Sequence, residues 1–308
     1  MKFFHSLASL SLFVGVGLSQ VPQESMTQQI QGPESERTAQ SGVDPGPDSN
    51  SLLTLQFGIY RTDKASTLYK SFLPIIVGLQ DGLEAELKRP VEIEIKIFKT
   101  YQEGLDSLVN GTVDFVRFGP ASYVLAKERN KNVQLLGMEH KKGKKIFKGV
   151  IAVRTDSHLQ KLEDLKGRSF AFGDKNSTIG RYLAQAEMIK AGVFGKNLAS
   201  FGFLGRHDLV AKAVEIGDYD AGSLKISTFE KMNSQGKLRI LWSFDNVTKP
   251  WIAKSTLDKK VVAAISKVML EWKDETALKD LKISGWLACS DKEYQSTREG
   301  MKLAEKKF

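Results

Sequence analysis

The residues best suited to chemistry in this sequence lie at the starts of predicted helices. Asn176-Ser177-Thr178-Ile179-Gly180 follows the apolar run SFAFGD and opens a helical stretch, RYLAQAEMIKAG. A helix start leaves backbone N–H groups without intrahelical acceptors. Hydroxyls placed there add donors, so the position suits an oxyanion held at the positive end of the helix dipole. An ordinary N-cap accounts for the same Ser-Thr pair. Gly119-Pro120-Ala121-Ser122 is a second strand-to-helix turn, with Pro120 suited to the first helical position. His207 heads a third helix, although a lone histidine equally serves a surface or packing role.

Hydrolytic chemistry finds no comparable support. The sequence lacks G-x-S-x-G, G-x-x-x-x-G-K-[ST] and H-E-x-x-H. Nothing in the spacing of Ser177, His207 and Asp220 favours a triad, so we expect a binding protein and no enzyme. One cysteine, Cys289, excludes an internal disulfide and a cysteine-cluster metal site, and four histidines leave little for a histidine centre. No metal and no organic cofactor is expected. Zinc-finger, RNP-type and helix-turn-helix patterns are missing, so nucleic acid is not an expected partner.

An internal echo links two of the helix starts. YQEGLDSLVNGTVD, from Tyr101, and HDLVAKAVEIGDYD, from His207, each run helix, glycine, strand, and each ends on an aspartate thirteen residues on, Asp114 or Asp220. In both the glycine stands three residues before the aspartate and suits a helix C′ position. Two similar lobes would each present a polar side chain, Tyr101 or His207, at the head of a helix.

The elements that must hold these residues alternate strand and helix. LTLQFGIY (53–60) reads as a strand. The helix after it places Leu68, Phe72, Ile75, Leu79, Leu83 and Leu87 on one face. VEIEIKIFK (91–99) alternates with period two, which predicts a sheet edge with one wet face. Further strands are expected at 113–118, 133–138, 149–154, 169–173, 200–204, 219–222 and 237–243, and a helix at 259–272. The pattern predicts an α/β protein with mainly parallel sheets. The lysine cluster KKGKKIFK (141–148) reads as a solvated turn centred on Gly143, with a docking patch for an acidic surface as the alternative.

A chain of 308 residues, 41% apolar, suits about two globular domains. Residues 1–52 carry two basic and five acidic side chains, a charge of −3, so of the formal net +9 the remainder alone carries +12 and favours anionic partners. Lys2 precedes an apolar stretch from Phe3 to Leu18, with Gly17 and Ser19 at the −3 and −1 positions of a cleavage site. We expect a signal peptide at 1–19, a flexible linker at 20–51, and an extracytoplasmic, periplasmic protein; an uncleaved anchor is the alternative reading.

Three runs carry a family resemblance. VDFVRFGPASYVLA (113–126), LEDLKGRSFAFGDKNSTIGRYL (162–183) and GRHDLVAKAVEIGDYDAG (205–222) together resemble the phosphonate, phosphite and phosphate substrate-binding proteins of ABC transporters, in the same order and across residues 53–270. The resemblance implies a two-lobed type II periplasmic binding protein with a hinge, lobe one from 53–146 plus 247–308 and lobe two from 147–246. It implies a monomer that captures a small phosphorus oxyanion (phosphite, phosphate or alkylphosphonate) and delivers it to a membrane permease. A sensory module signalling to a membrane kinase or receptor is the alternative. By resemblance, Tyr101, Ser177, Thr178 and a protonated His207 would hold the phosphorus oxygens, with Ser122, Ile179, Gly180, Asp220 and Asp245 as further candidates. Positions that grip an amine in aminoethylphosphonate-binding members read Phe147, Ser227 and Ile252, which implies a small, dry pocket for a ligand without an amine.

Overall fold

The computed structural model describes residues 51–308, so the expected signal peptide and nearly all of the expected linker lie outside the described residues. The chain begins with β1 (Leu53–Tyr60), α1 (Ala65–Leu87), β2 (Val91–Phe98), α2 (Tyr101–Val109), β3 (Phe115–Arg117), α3 (Pro120–Arg129) and β4 (Gln134–His140). A second series follows: β5 (Ile146–Arg154), β6 (Ser169–Phe172), α4 (Ala184–Lys190), β7 (Ser200–Phe203), α5 (His207–Ile216), β8 (Ala221–Lys225), α6 (Ile226–Met232) and β9 (Leu238–Val247). The chain then returns through β10 (Pro250–Ala253), α7 (Lys259–Leu270), α8 (Glu275–Leu278), β11 (Gly285–Leu287) and α9 (Gln295–Lys307).

These strands form two sheets, one ordered β11-β4-β10-β3-β1-β2 and the other β7-β6-β8-β5-β9. The alternating segment at 91–98 is an edge, as its period-two pattern requires; it runs parallel to β1 from Leu53↔Val91 to Tyr60↔Phe98. The expectation of mainly parallel sheets needs correction. β10 lies antiparallel to both β3 and β4, β11 antiparallel to β4, and β5 antiparallel to both β8 and β9. Two of these strands, β5 and β10, directly follow a crossing between the sheets, and both sheets are mixed.

Helices cover the sheets through the faces their spacing dictates. Leu68, Phe72, Ile75, Leu79 and Leu83 of α1 are buried, and Leu87 packs against the same cluster. On α7, Ile265 and Met269 are buried, with Val261, Val268 and Trp272 packed around them. Trp251 of β10 is fully enclosed, stacked on Phe57 at 4.8 Å and met edge-on by Trp286 at 5.3 Å. Each such buried side chain contributes roughly 1.5–3 kcal/mol by leaving water. Among the described residues no helix is long and apolar enough to cross a membrane.

Two chain crossings connect the sheets. β4 passes into β5 through the lysine cluster, which forms the expected turn: Lys141 bridges Lys144, and Gly143 takes φ +78°. β9 passes into β10 beside it, where the Thr248 amide donates to Lys145 O and the Glu139 amide to Lys249 O. The last helix, α9, packs against α3 on one side and α4 on the other.

Candidate ligand-binding site

The chain folds its helix starts around one small cavity of about 40 Å³, lined by side chains from both sheets. Tyr101 is the first residue of α2. That start is fixed by a reciprocal cap in which Thr100 Oγ1 accepts from the Glu103 amide at 3.1 Å and Glu103 Oε2 accepts from the Lys99 amide at 2.9 Å. The Tyr101 ring stacks on Tyr60 at 3.7 Å. Tyr60 Oη accepts the Gly119 amide at 2.6 Å and lies 3.0 Å from Ser122 Oγ. Burial pushes the Tyr60 phenol up to about 12, so it stays neutral.

The Ser-Thr turn adds the second wall. Ser177 is the N-cap of the helical turn 178–183 that leads into α4, and its Oγ accepts the Gly180 amide at 2.9 Å. Thr178 Oγ1 accepts the Ala121 amide at 2.9 Å, which leaves its hydroxyl proton free to donate to a ligand. Asp174, at the head of the same loop, accepts the Tyr101 amide.

His207, first residue of α5, closes the shell from below. It is 6% exposed and its Nδ1 has no hydrogen-bond partner. Burial, then the nearby Lys225 and Lys249, push the ring down to about 3. Burial first, and the two lysines after it, favour a neutral ring in the ligand-free protein, against the expected protonated form.

Three cations complete the lining: Arg117 at the end of β3, Lys225 at the end of β8 and Lys249 at the β9–β10 crossing. Arg117 makes a two-point ion pair with Glu139, at 2.7 and 3.0 Å, and Trp251 Nε1 donates to the same carboxylate at 3.3 Å. Burial alone would raise the Glu139 carboxyl, but Arg117 and Lys249 outweigh it and hold it below its ordinary value. The Lys249 ammonium lies 4.3 Å over the Phe147 ring. Burial, with Arg117 second, brings Lys225 down to about 8 and holds Lys249 well below the usual lysine range. Among the described residues no Asp or Glu lines the cavity.

Among the expected residues, Tyr101, Ser177, Thr178, Ile179 and His207 line this cavity together. Ser122 stands one layer behind, supporting Tyr60. Gly180 also lies behind the lining, pressed against Gly173 so closely that a Cβ would sit 2.9 Å from its Cα. Asp220 is a correction. It lies a whole helix length from His207, about 15 Å at 1.5 Å per residue, and its Oδ2 accepts the amide and hydroxyl of Ser169 at 2.8 Å each. Asp114 does the equivalent for β1, accepting the Gln56 amide at 2.7 Å. The echo is thus structural at its aspartate end, and its two helix starts meet at the cavity.

Asp245 is a second correction: it is exposed, pairs with Lys148 at 2.6 Å and faces a groove against α9. Of the positions compared with amine-binding relatives, only Phe147 lines the cavity. Ile252 is core, and Ser227 stands on α6 away from the lining. The lining mixes apolar side chains, among them Ile59, Leu68, Phe72 and Phe147, with the three cations Arg117, Lys225 and Lys249. Sequence reasoning passed over these three cations, together with Tyr60 and the buried Asn246.

Two sheets joined by paired crossings, with helix starts converging between them, define a two-lobed type II solute-binding protein. The chain belongs to the family of ABC transporter phosphonate periplasmic substrate-binding proteins, whose family model matches residues 57–294. It is 27% identical over 198 residues to a protein of Prochlorococcus marinus named "Probable ABC transporter phosphite binding protein PhnD1", covering 59% of this chain and 66% of that one. It is 25% identical over 210 residues to the phosphate-import protein PhnD of Mycolicibacterium smegmatis, covering 63% of this chain and 64% of that one. The matches thus span slightly less than two thirds of these relatives. The structure of the Prochlorococcus PhnD1 in complex with methylphosphonate superposes with TM-score 0.72 at 23% identity, over 82% of this chain and 98% of that chain, and shares its fold.

Proposed function

We propose that this protein is an extracytoplasmic receptor that captures a small phosphorus oxyanion between its lobes and hands it to the permease of an ABC transporter. Residues 53–146 with 247–308 form one lobe and 147–246 the other, and residues 1–19 direct export. The observation that carries this reading is the convergence of Tyr101, Ser177, Thr178 and neutral His207 on a cavity that no carboxylate lines. The Ser177 and Thr178 oxygens already accept backbone amides, so their protons turn to phosphoryl oxygens, and a lining without carboxylates disfavours cations. The receptor works as a monomer and without metal; among the described residues no group of three or more His, Cys, Asp or Glu could hold one.

A thermal-shift and calorimetric screen of phosphate, phosphite, methylphosphonate, aminoethylphosphonate and sulfate tests it. A ligand at about 100 times its Kd adds about 2.7 kcal/mol of stability. Binding of at least one phosphorus oxyanion, unaffected by chelator, is expected; a response to sulfate alone would overturn the assignment.

A further inference from the structure

The cavity lining carries more positive charge than its surroundings neutralise. Arg117 is matched by Glu139. Lys225 and Lys249 are half-buried and reach toward the same space from opposite lobes, and among the described residues neither ammonium has an ion pair or a side-chain hydrogen bond. Asn246, 3% exposed, also lines this space, and both atoms of its amide group lack partners. Thr248 Oγ1 beside it is buried and likewise unpartnered. Buried polar groups without partners and closely facing like charges are costly, and they persist where a ligand completes them.

We propose that the ligand of this cleft carries a carboxylate as well as its phosphorus group, so that the receptor selects compact phosphonocarboxylates. The proposal rests on the phosphorus-oxyanion reading of the Ser-Thr side. The phosphorus group sits against Tyr101, Ser177, Thr178 and His207. The carboxylate lies between Lys225 and Lys249, with the Asn246 amide donating to it. A carboxylate suits the space: it is flat, small and offers lone pairs on two edges, one toward each lysine. A ligand ammonium would meet two ammoniums at close range with no carboxylate in the lining. Burial that drives both lysines toward neutrality is relieved when an anion joins them.

The test is a calorimetric comparison of phosphonoacetate, methylphosphonate, phosphite, phosphate and aminoethylphosphonate at pH 7.5. Phosphonoacetate is expected to bind at least about ten-fold more tightly than methylphosphonate, with aminoethylphosphonate weaker than both. In Lys249→Met, and separately in Lys225→Met, the phosphonoacetate-to-methylphosphonate ratio should collapse toward one. Thr178→Ala should instead weaken both ligands and leave the ratio in place. Two lysine variants keep the comparison usable if one misfolds, as judged by its melting curve. Wild-type binding of methylphosphonate, phosphite or phosphate as tight as phosphonoacetate would overturn the proposal, as would an unchanged ratio in both lysine variants. Failure of every phosphorus ligand to bind the wild type would overturn the underlying reading and this one with it.

Discussion

The Thr178 hydroxyl oxygen accepts the amide of Ala121 at 2.9 Å, so one side chain of the Ser-Thr turn reaches the start of α3 beyond the other sheet. Both residues are buried. Thr178→Val preserves shape and removes the hydroxyl. It should weaken phosphorus-oxyanion binding by roughly 1.5–3 kcal/mol, the scale of hydrogen bonds to charged groups. Calorimetry checks this, and Thr178→Ser should restore most of the loss. Urea unfolding should also register the variant, because the Ala121 amide is left buried and unpaired. Wild-type affinity in Thr178→Val would remove this residue from the shell.

His207 gives the ligand-free protein a characteristic acid response. Its ordinary value of 6.5 is lowered in the folded chain to about 3 by burial and by Lys225 and Lys249, with Asp208 opposing. Between those two values the unfolded chain takes up a proton that the folded chain refuses. Stability from this group is therefore complete above pH 6.5 and is lost as pH falls toward 3, by at most about 1.4 kcal/mol per pH unit. Urea unfolding at pH 7, 6 and 5 should show the decline, and His207→Gln should flatten it. Equal slopes in the two proteins would contradict a buried neutral ring.

Lys225 sets the alkaline limit of binding. Burial chiefly, with Arg117 and Lys231 against it and Asp63 and Glu139 in its favour, places it at about 8, and Lys249 and the neutral His207 lie nearby. A bound anion raises that value. Affinity should then be level below pH 8 and fall as pH rises above it, while binding takes up protons in that range. Titrations at pH 7 and 9 in buffers of different ionisation enthalpy measure both effects. Lys225→Met should reduce the proton uptake; unchanged uptake would assign the titration elsewhere.

Asp220 should behave as a structural residue. Asp220→Ala removes two acceptor contacts to Ser169 and is expected to cost about 1 kcal/mol of stability, since the site is exposed to water. Its ligand affinity should match wild type in a paired melt and calorimetry experiment. A ten-fold loss of affinity without loss of stability would reinstate it in the site.

Legibility followed the range over which each signal acts. The alternation of Val91, Ile93, Ile95 and Ile97 is local, and it identified the sheet edge. The helix starts at Tyr101 and His207 were visible because their turns repeat: the Thr112 and Asp218 amides each reach back five residues, to Ser107 and Ala213, past glycines at φ +75° and +85°. Arg117, Lys225 and Lys249 had no such local mark among 45 basic residues. Their convergence depends on β3, β8 and the β9–β10 crossing arriving at one place, which no window of sequence contains. The short strands β10 and β11 gave too little periodicity to read. On α9 only Thr297, Met301 and Ala304 are buried among many charges.

The nesting of one sheet inside the other orders the birth of the molecule. Strands β5 to β9 occupy one uninterrupted stretch, whereas β4 must wait for β10 and β11 before it gains either of its sheet neighbours. On the ribosome, the inserted half can complete its ladder while the enclosing half still holds β1, β2 and β3 as a partial sheet. Closing that gap joins residues more than a hundred positions apart, the kind of long-range contact that slows assembly. Trp251, at the centre of the late-arriving strand, then drops into a waiting aromatic nest of Phe57, Phe72 and Phe115. Lys249, which immediately precedes that strand, therefore reaches the cavity only after the inserted half has been synthesised.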